Sequence, residues 1–151
     1  MNATTTYHAS CFCGGVAMTL TGEPEVMAYC HCDSCRRWSA GRVSAFTLWK
    51  PESLAITRGA EQIASYEQNP RSDHRQVVSK RKWCKVCGGH LYTDHPTMGL
   101  IDVPSAVIDH FHFEPAFHVH YQESVQPIRD GLPKFKDLPK EAGGTGNRLA
   151  E

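Results

Sequence analysis

The sequence predicts an all-β fold, and three observations carry that expectation. Short apolar or β-branched runs recur between turn residues, one stretch alone suits a helical turn, and two Cys-Gly-Gly turns look like paired knuckles that each begin a strand.

Val16, Met18 and Leu20 alternate with Ala17, Thr19 and Thr21 after a turn at Gly14 and Gly15, the period of two of a half-buried strand. Ser34 to Ala40 is the helical turn, with Asp33 or Ser34 to cap its start and Gly41 to stop it. Val43 to Trp49 reads as another strand. Ile63–Tyr66, Gln76–Ser79, His90–Thr93, Leu100–Val103 and Phe117–Tyr121 are further short runs of the same kind. From Ser124 onward Pro127, Pro133, Pro139, Gly131, Gly143, Gly144 and Gly146 interrupt every element, while Leu132, Phe135 and Leu138 can pin the coil. The expected division is a single β domain over residues 1–140 and a flexible tail over 141–151, one core being what 151 residues support.

Sixteen Lys and Arg balance sixteen Asp and Glu, so no basic field exists to concentrate nucleic acid. No window approaches the roughly 18 apolar residues of a membrane helix, and Met1–Ser10 is polar, without a signal-peptide core. The expected setting is cytoplasmic, away from membranes. Seven cysteines in such a chain argue against a disulfide scaffold, because cytosolic thiols are kept reduced and an odd count leaves one over. Their tight clusters argue for metal binding.

Cys11 and Cys13 share one face of an extended segment, and Cys84 and Cys87 form a C-x-x-C pair. Four thiolates make a closed tetrahedral zinc site of structural type, its negative charge offset by Lys80, Arg81, Lys82 and Lys85, cross-linking positions about 70 residues apart. The alternative is a redox C-x-x-C or packed thiols, but no helix follows Cys87 as a thioredoxin motif requires.

Cys30 and Cys32 share a face in the same way, and Cys35 completes a set of three at the start of the helical turn. Three thiolates leave a fourth tetrahedral position to water or substrate, the mark of a labile, catalytic zinc. His31 faces away by strand alternation. Three soft donors weaken the Lewis acidity of zinc and favour an incoming thiol, which coordination would deprotonate. Arg36 and Arg37 follow directly, and their forks suit the carboxylates of a small acidic thiol. Three alternatives stand beside this reading. A histidine among His90, His95, His110, His112, His118 and His120 closes the site as a second structural zinc; the three cysteines are redox thiols without metal; the arginines are a solvated helix face.

Taken together, Cys11 to Val16, Cys30 to Gly41 and Arg81 to Leu91 follow the pattern C-x-C-G-x-V, C-H-C-x-x-C-R-R-x-x-x-G and R-x-[FW]-C-x-x-C-G-x-x-L. This resembles the glutathione-dependent formaldehyde-activating enzymes, or S-(hydroxymethyl)glutathione synthases. The likeness continues through Gly99–Pro104, His118-Val119 and Asp130–Pro133. The resemblance implies coiled antiparallel sheets with zinc knuckles, similar to the methionine-R-sulfoxide reductase fold, and the same division of cysteines into two sites. It implies a carbon–sulfur lyase that joins glutathione or another small thiol to formaldehyde or a related aldehyde at Cys30, Cys32 and Cys35, the catalytic set, beside the Arg36 and Arg37 forks already read as thiol-binding. The family's relatives also include centromere protein V, so a non-catalytic thiol-binding zinc protein and a structural zinc interaction module remain alternatives.

Overall fold

The computed structural model describes residues 3–68 and 78–151. In chain order its elements are β1 (Thr6–Ser10), β2 (Ala17–Thr21), β3 (Val26–Cys30), α1 (Asp33–Ser39), β4 (Ser44–Trp49), β5 (Leu54–Arg58), β6 (Ile63–Gln68), β7 (Ser79–Cys84), β8 (His90–His95), β9 (Leu100–Pro104) and β10 (His118–Val119). The fold is all-β with one short helix, as the sequence predicts. Of the expected strand Gln76–Ser79, Gln76 and Val77 lie outside the described residues, and Ser79 opens β7. Strands β1, β3 and β5 are additional to the expected set. No helix among the described residues is long and apolar enough to cross a membrane.

The chain packs as two compact units, one of Met1–Glu25 with Thr47–His112 and one of Val26–Phe46 with Phe113–Glu151. In the first, β1, β2 and β5 form an antiparallel sheet with Ala9 opposite Met18 and Leu20 opposite Leu54. Strands β6 to β9 form an antiparallel meander, with β7 between β6 and β8. Alternation sends Met18 and Leu20, Leu91, and Ile101 and Val103 inward from their strands, where they meet Ala9, Val16, Trp49 and Ile108. Trp49 is fully enclosed and satisfies its indole N–H on the Thr47 hydroxyl at 2.7 Å, which in turn donates to the Val103 carbonyl. Cys11 and Cys84 belong to this same core.

In the second unit β3 lies between β4 and β10. The pairing of β3 with β10 is parallel, a departure from the expected purely antiparallel sheets, with Val119 opposite Cys30. The backbone N–H groups of Tyr29 and His31 donate to Phe117 and Val119. Residues 141–151, expected as a flexible tail, are tied down: Phe135 bridges to Arg148, Leu149 N–H donates to the Lys134 carbonyl, and the Glu151 carboxylate accepts from Lys134. Phe135 itself is half-buried, edge-on against Phe117, which helps so proline-rich a segment acquire a fixed path.

Helix α1 begins one residue earlier than the sequence suggests. Its N-cap is Cys32, whose sulfur accepts the Cys35 N–H, in place of Asp33 or Ser34. It ends at Ala40, left-handed at φ 52, with the N–H groups of Ala40 and Gly41 returning to Arg37 and Arg36 in a Schellman arrangement. Gly41 serves as the residue after the left-handed one.

One glycine locks the first unit's turn geometry. Gly59 has φ +73, and a Cβ there would lie 2.2 Å from the Gly15 carbonyl oxygen, which belongs to the turn behind Cys13. Backbone strain and overpacking combine in Gly59→Ala, which is expected to cost about 3 kcal/mol. The check is the urea midpoint at unchanged slope; a loss below about 1 kcal/mol contradicts the contact.

Candidate metal centres

The turns after Cys11 and Cys84 are built alike: Gly14 N–H donates to the Cys11 carbonyl at 3.0 Å, and Gly88 N–H to the Cys84 carbonyl at 2.8 Å. Each turn brings its second cysteine back over the first. The result gathers the sulfurs of Cys11, Cys13, Cys84 and Cys87 within 4.8 Å of one another. Cys11 Sγ lies 3.7 Å from Cys13 Sγ, which is 4.0 Å from Cys84 Sγ. Four sulfurs around a tetrahedral ion with bonds of about 2.3 Å stand about 3.8 Å apart, so the set fits a metal ion without rearrangement.

Backbone N–H groups complete this centre. Val16 donates to Cys11 Sγ, Val86 to Cys84 Sγ and Gly89 to Cys87 Sγ, at 3.3, 3.4 and 3.3 Å. Such bonds stabilise thiolates and orient them. Amides of Cys13 and Gly89 and the sharing of protons with Cys13 and Cys84 bring Cys87 down to about 6. Cys13 goes the other way: the Gly15 amide favours its thiolate, but the neighbouring Cys11 and Cys87 sulfurs outweigh it and push the thiol up to about 11. Lys85, expected to offset the thiolate charge, directs its Nζ to the Glu61 carbonyl at 2.9 Å.

The second group is Cys30, Cys32 and Cys35, again within 4.8 Å of one another. Cys30 ends β3, Cys32 caps α1 and Cys35 lies in its first turn, so the strand-to-helix junction alone assembles the three. Cys30 and Cys32 are buried. Hydrogen bonds from the Cys30 and Cys35 thiols, with the Cys35 amide, hold Cys32 far below the ordinary thiol range. Cys30 keeps its proton, raised by sharing it with Cys32 and Cys35 and by burial. Among the described residues of this unit no histidine or carboxylate joins the three sulfurs. His118, one of the expected fourth ligands, is engaged elsewhere, as described below.

The two arginines part ways. Arg36 turns inward: its Nε donates to the His31 carbonyl at 2.9 Å and its Nη2 lies 3.7 Å from Asp33. Arg37 is exposed and presents Nε to both carboxylate oxygens of Asp33 at 3.0 Å.

Sequence reasoning missed the hydrogen-bonded network behind this group, which runs from buried His31 and His118 to exposed Asp130. His31 Nε2 lies 2.8 Å from His118 Nδ1, and His118 Nε2 lies 2.8 Å from Asp130 Oδ2. Asp130 Oδ1 accepts from Lys134, whose Nζ also donates to the Leu132 carbonyl and Glu151. Lys134 is 1% exposed, an unusual depth for an ammonium group and one that requires these partners. Burial opposes the charge on Asp130, yet the hydrogen bonds from Lys134, His118 and the Leu132 amide win and hold its carboxyl well below the usual range. Burial also opposes the Lys134 charge, and Asp130 and Glu151 reverse it, so its pKa rises. The signal available in the sequence was the stretch Asp130–Pro133, to which spacing assigned no chemistry.

Comparison with known proteins adds the family. A model of the glutathione-dependent formaldehyde-activating enzyme matches residues 6–123. The chain belongs to that family. An uncharacterized lyase of Schizosaccharomyces pombe is 26% identical over 86 residues, spanning 57% of this chain and 56% of that relative. A crystal structure of a Rhodobacter sphaeroides protein shares the fold at TM-score 0.52 and 21% identity, covering 70% of this chain and 90% of that one. Both cysteine groups of this family member lie inside the matched region. Asp130 and Lys134 lie beyond it.

Two outcomes follow. Cys84→Ser removes a core sulfur from the four-cysteine centre and is expected to abolish cooperative unfolding of the first unit or lower its midpoint by more than about 10 °C, seen by near-UV circular dichroism. The second concerns pH. Asp130, with its folded pKa depressed, contributes stability above its unfolded value of about 3.9 that disappears as pH falls below it; Lys134, raised, loses its contribution only above about pH 10.4. The stability gap between the wild type and Asp130→Asn, measured by denaturant titration, is therefore widest near neutral pH and shrinks from pH 4 to pH 2.

Proposed function

We propose that this protein is a zinc-dependent carbon–sulfur lyase that joins glutathione, or another small thiol, to formaldehyde or a related aldehyde at Cys30, Cys32 and Cys35. The observation that carries the reading is the pair of unequal sulfur sets. Four sulfurs form a closed group in the first unit, and three form a group in the second without a further ligand from that unit's described residues. The family and the lyase named among its relatives support the reaction class.

The reaction is R–SH plus an aldehyde giving R–S–CH(R′)–OH. One carbon–sulfur bond forms, the carbonyl π pair moves to oxygen, and the thiol proton ends on that oxygen, so no oxidant or reductant takes part. Zinc held by Cys30, Cys32 and Cys35 would supply a position at which a thiol loses its proton near neutral pH. The chain's own residues do the rest. Arg36 braces the His31 carbonyl and so holds the turn between Cys30 and Cys32. Arg37 keeps its terminal nitrogens toward solvent and receives a carboxylate of the incoming thiol. Burial of Cys30 and Cys32 keeps bulk water from the ligating sulfurs. A cytoplasmic setting, where thiols are kept reduced, suits two sulfur groups poised to hold metal.

Exchange NMR of glutathione with formaldehyde tests the proposal. Catalysed exchange above the spontaneous rate, lost in Cys35→Ser while one metal ion per chain stays bound, is the expected result. Binding of glutathione without faster exchange replaces the lyase by a thiol-binding protein, and one metal ion per wild-type chain removes the second centre. Arg37→Ala is expected to raise KM for glutathione about fivefold with little change in kcat, since an exposed ion pair is worth about 1 kcal/mol.

A further inference from the structure

His31 stands between two cysteines of the three-sulfur group, in the step from the end of β3 to the cap of α1. It is held at three points. Its N–H donates to the Val119 carbonyl at 3.1 Å, its carbonyl accepts Arg36 Nε at 2.9 Å, and its ring meets His118 at 2.8 Å. The ring is also enclosed: it is 1% exposed, with Tyr121 edge-on at 4.8 Å, while Tyr29 stacks on His118 at 4.9 Å.

The contacts run in one direction. A carboxylate can only accept, so His118 Nε2 carries the proton given to Asp130. A proton on His31 Nδ1 would be buried with no acceptor, so the His31 proton sits on Nε2 and His118 Nδ1 accepts it. His31 Nδ1 is left bare. Lys134 and the Leu132 N–H secure Asp130 from the other side. Packing alone does not explain this arrangement, because apolar residues of the same volume would fill the space without the desolvation of two imidazoles and an ammonium group.

We propose that Asp130 and His118 are positioning residues for the three-cysteine group: they set the tautomer and ring orientation of His31 and thereby hold the Cys30 and Cys32 sulfurs in place for a metal ion. The inference rests on the metal-binding reading of those sulfurs given above. It adds to it the residues that keep the sulfurs open and ordered, the part played at the four-cysteine centre by the knuckle amides.

The test uses Asp130→Asn, His118→Leu and His118→Asn in the full chain. In the wild type, ¹⁵N-resolved spectra of the His31 ring show the proton on Nε2; Asp130→Asn, whose amide can also donate, mixes the tautomers. Metal transfer from the three-cysteine group to a chelator is about tenfold faster in Asp130→Asn and His118→Leu. His118→Asn, whose amide oxygen can take the place of Nδ1, recovers part of the loss. Metal held by the four-cysteine centre is the control for folding. Where a variant loses that metal too, the tautomer of His31 in Asp130→Asn decides. A wild-type His31 protonated on Nδ1, or transfer within twofold of wild type in both Asp130→Asn and His118→Leu, overturns the proposal. If the wild-type group takes up no metal, the zinc reading falls. The relay is then decided by the spectra and by alkylation of Cys30 and Cys32 with iodoacetamide, about tenfold faster in the variants if it holds and unchanged if it does not.

Discussion

Crowded sulfur is the constraint on which the first unit depends. Two like charges 4 Å apart repel by about 4 kcal/mol at an effective dielectric of about 20, so four thiolates within 4.8 Å of one another cannot all ionise unaided. Without a cation the cluster divides its protons unequally, Cys13 rising to about 11 and Cys87 falling to about 6. A divalent ion held by the four sulfurs would remove that conflict. It would also join two turns whose cysteines lie 71 residues apart, with Cys11 and Cys84 buried in the same core as Trp49 and Leu91. Cross-link and core are therefore one structure, and a chain of this size has little other core to spare.

The second group meets the same repulsion with fewer sulfurs and by other means. Cys32 takes the negative charge, supported by the Cys35 amide and by thiol protons from its neighbours. A single local junction, the end of β3 running into α1, supplies all three sulfurs. Local assembly is quick to form but weakly held, and the long-range ties come from β10 and the segment behind it. Val119 pairs with Cys30, and the network from His31 through His118 to Asp130 and Lys134 lies behind the turn. A closed set of four sulfurs, two of them rooted in a core, suits a structural role, and a junction braced from behind suits a site that must admit a ligand.

Both sets of cysteines were legible in the linear sequence because metal chelation imposes spacing. Ligands at i and i+2 of an extended segment, or i and i+3 across a turn, are the ones that reach a common ion, so the C-x-C, C-H-C-x-x-C and C-x-x-C clusters announce themselves without tertiary information. The all-β class was legible for the related reason that side-chain alternation has a period of two, visible at Val16, Met18 and Leu20. Even the anchoring of the C-terminal coil had a trace in Phe135.

The tertiary structure decided what period and spacing do not encode. Helix α1 starts on Cys32 because a thiolate that already accepts amide bonds can serve as the cap, a use of cysteine outside the usual capping residues. Strand β10 pairs with β3 in parallel, a partnership between segments far apart in sequence that carries no local signature. The burial of His118 and Lys134 depends on that pairing and on the return of residues 130–151. The grouping of sulfurs into sets of four and three was thus determined by the sequence. Which histidine serves the sulfurs from behind was decided only by folding, because a hydrogen-bonded chain joining positions 31, 118, 130 and 134 exists only once long-range contacts bring them together.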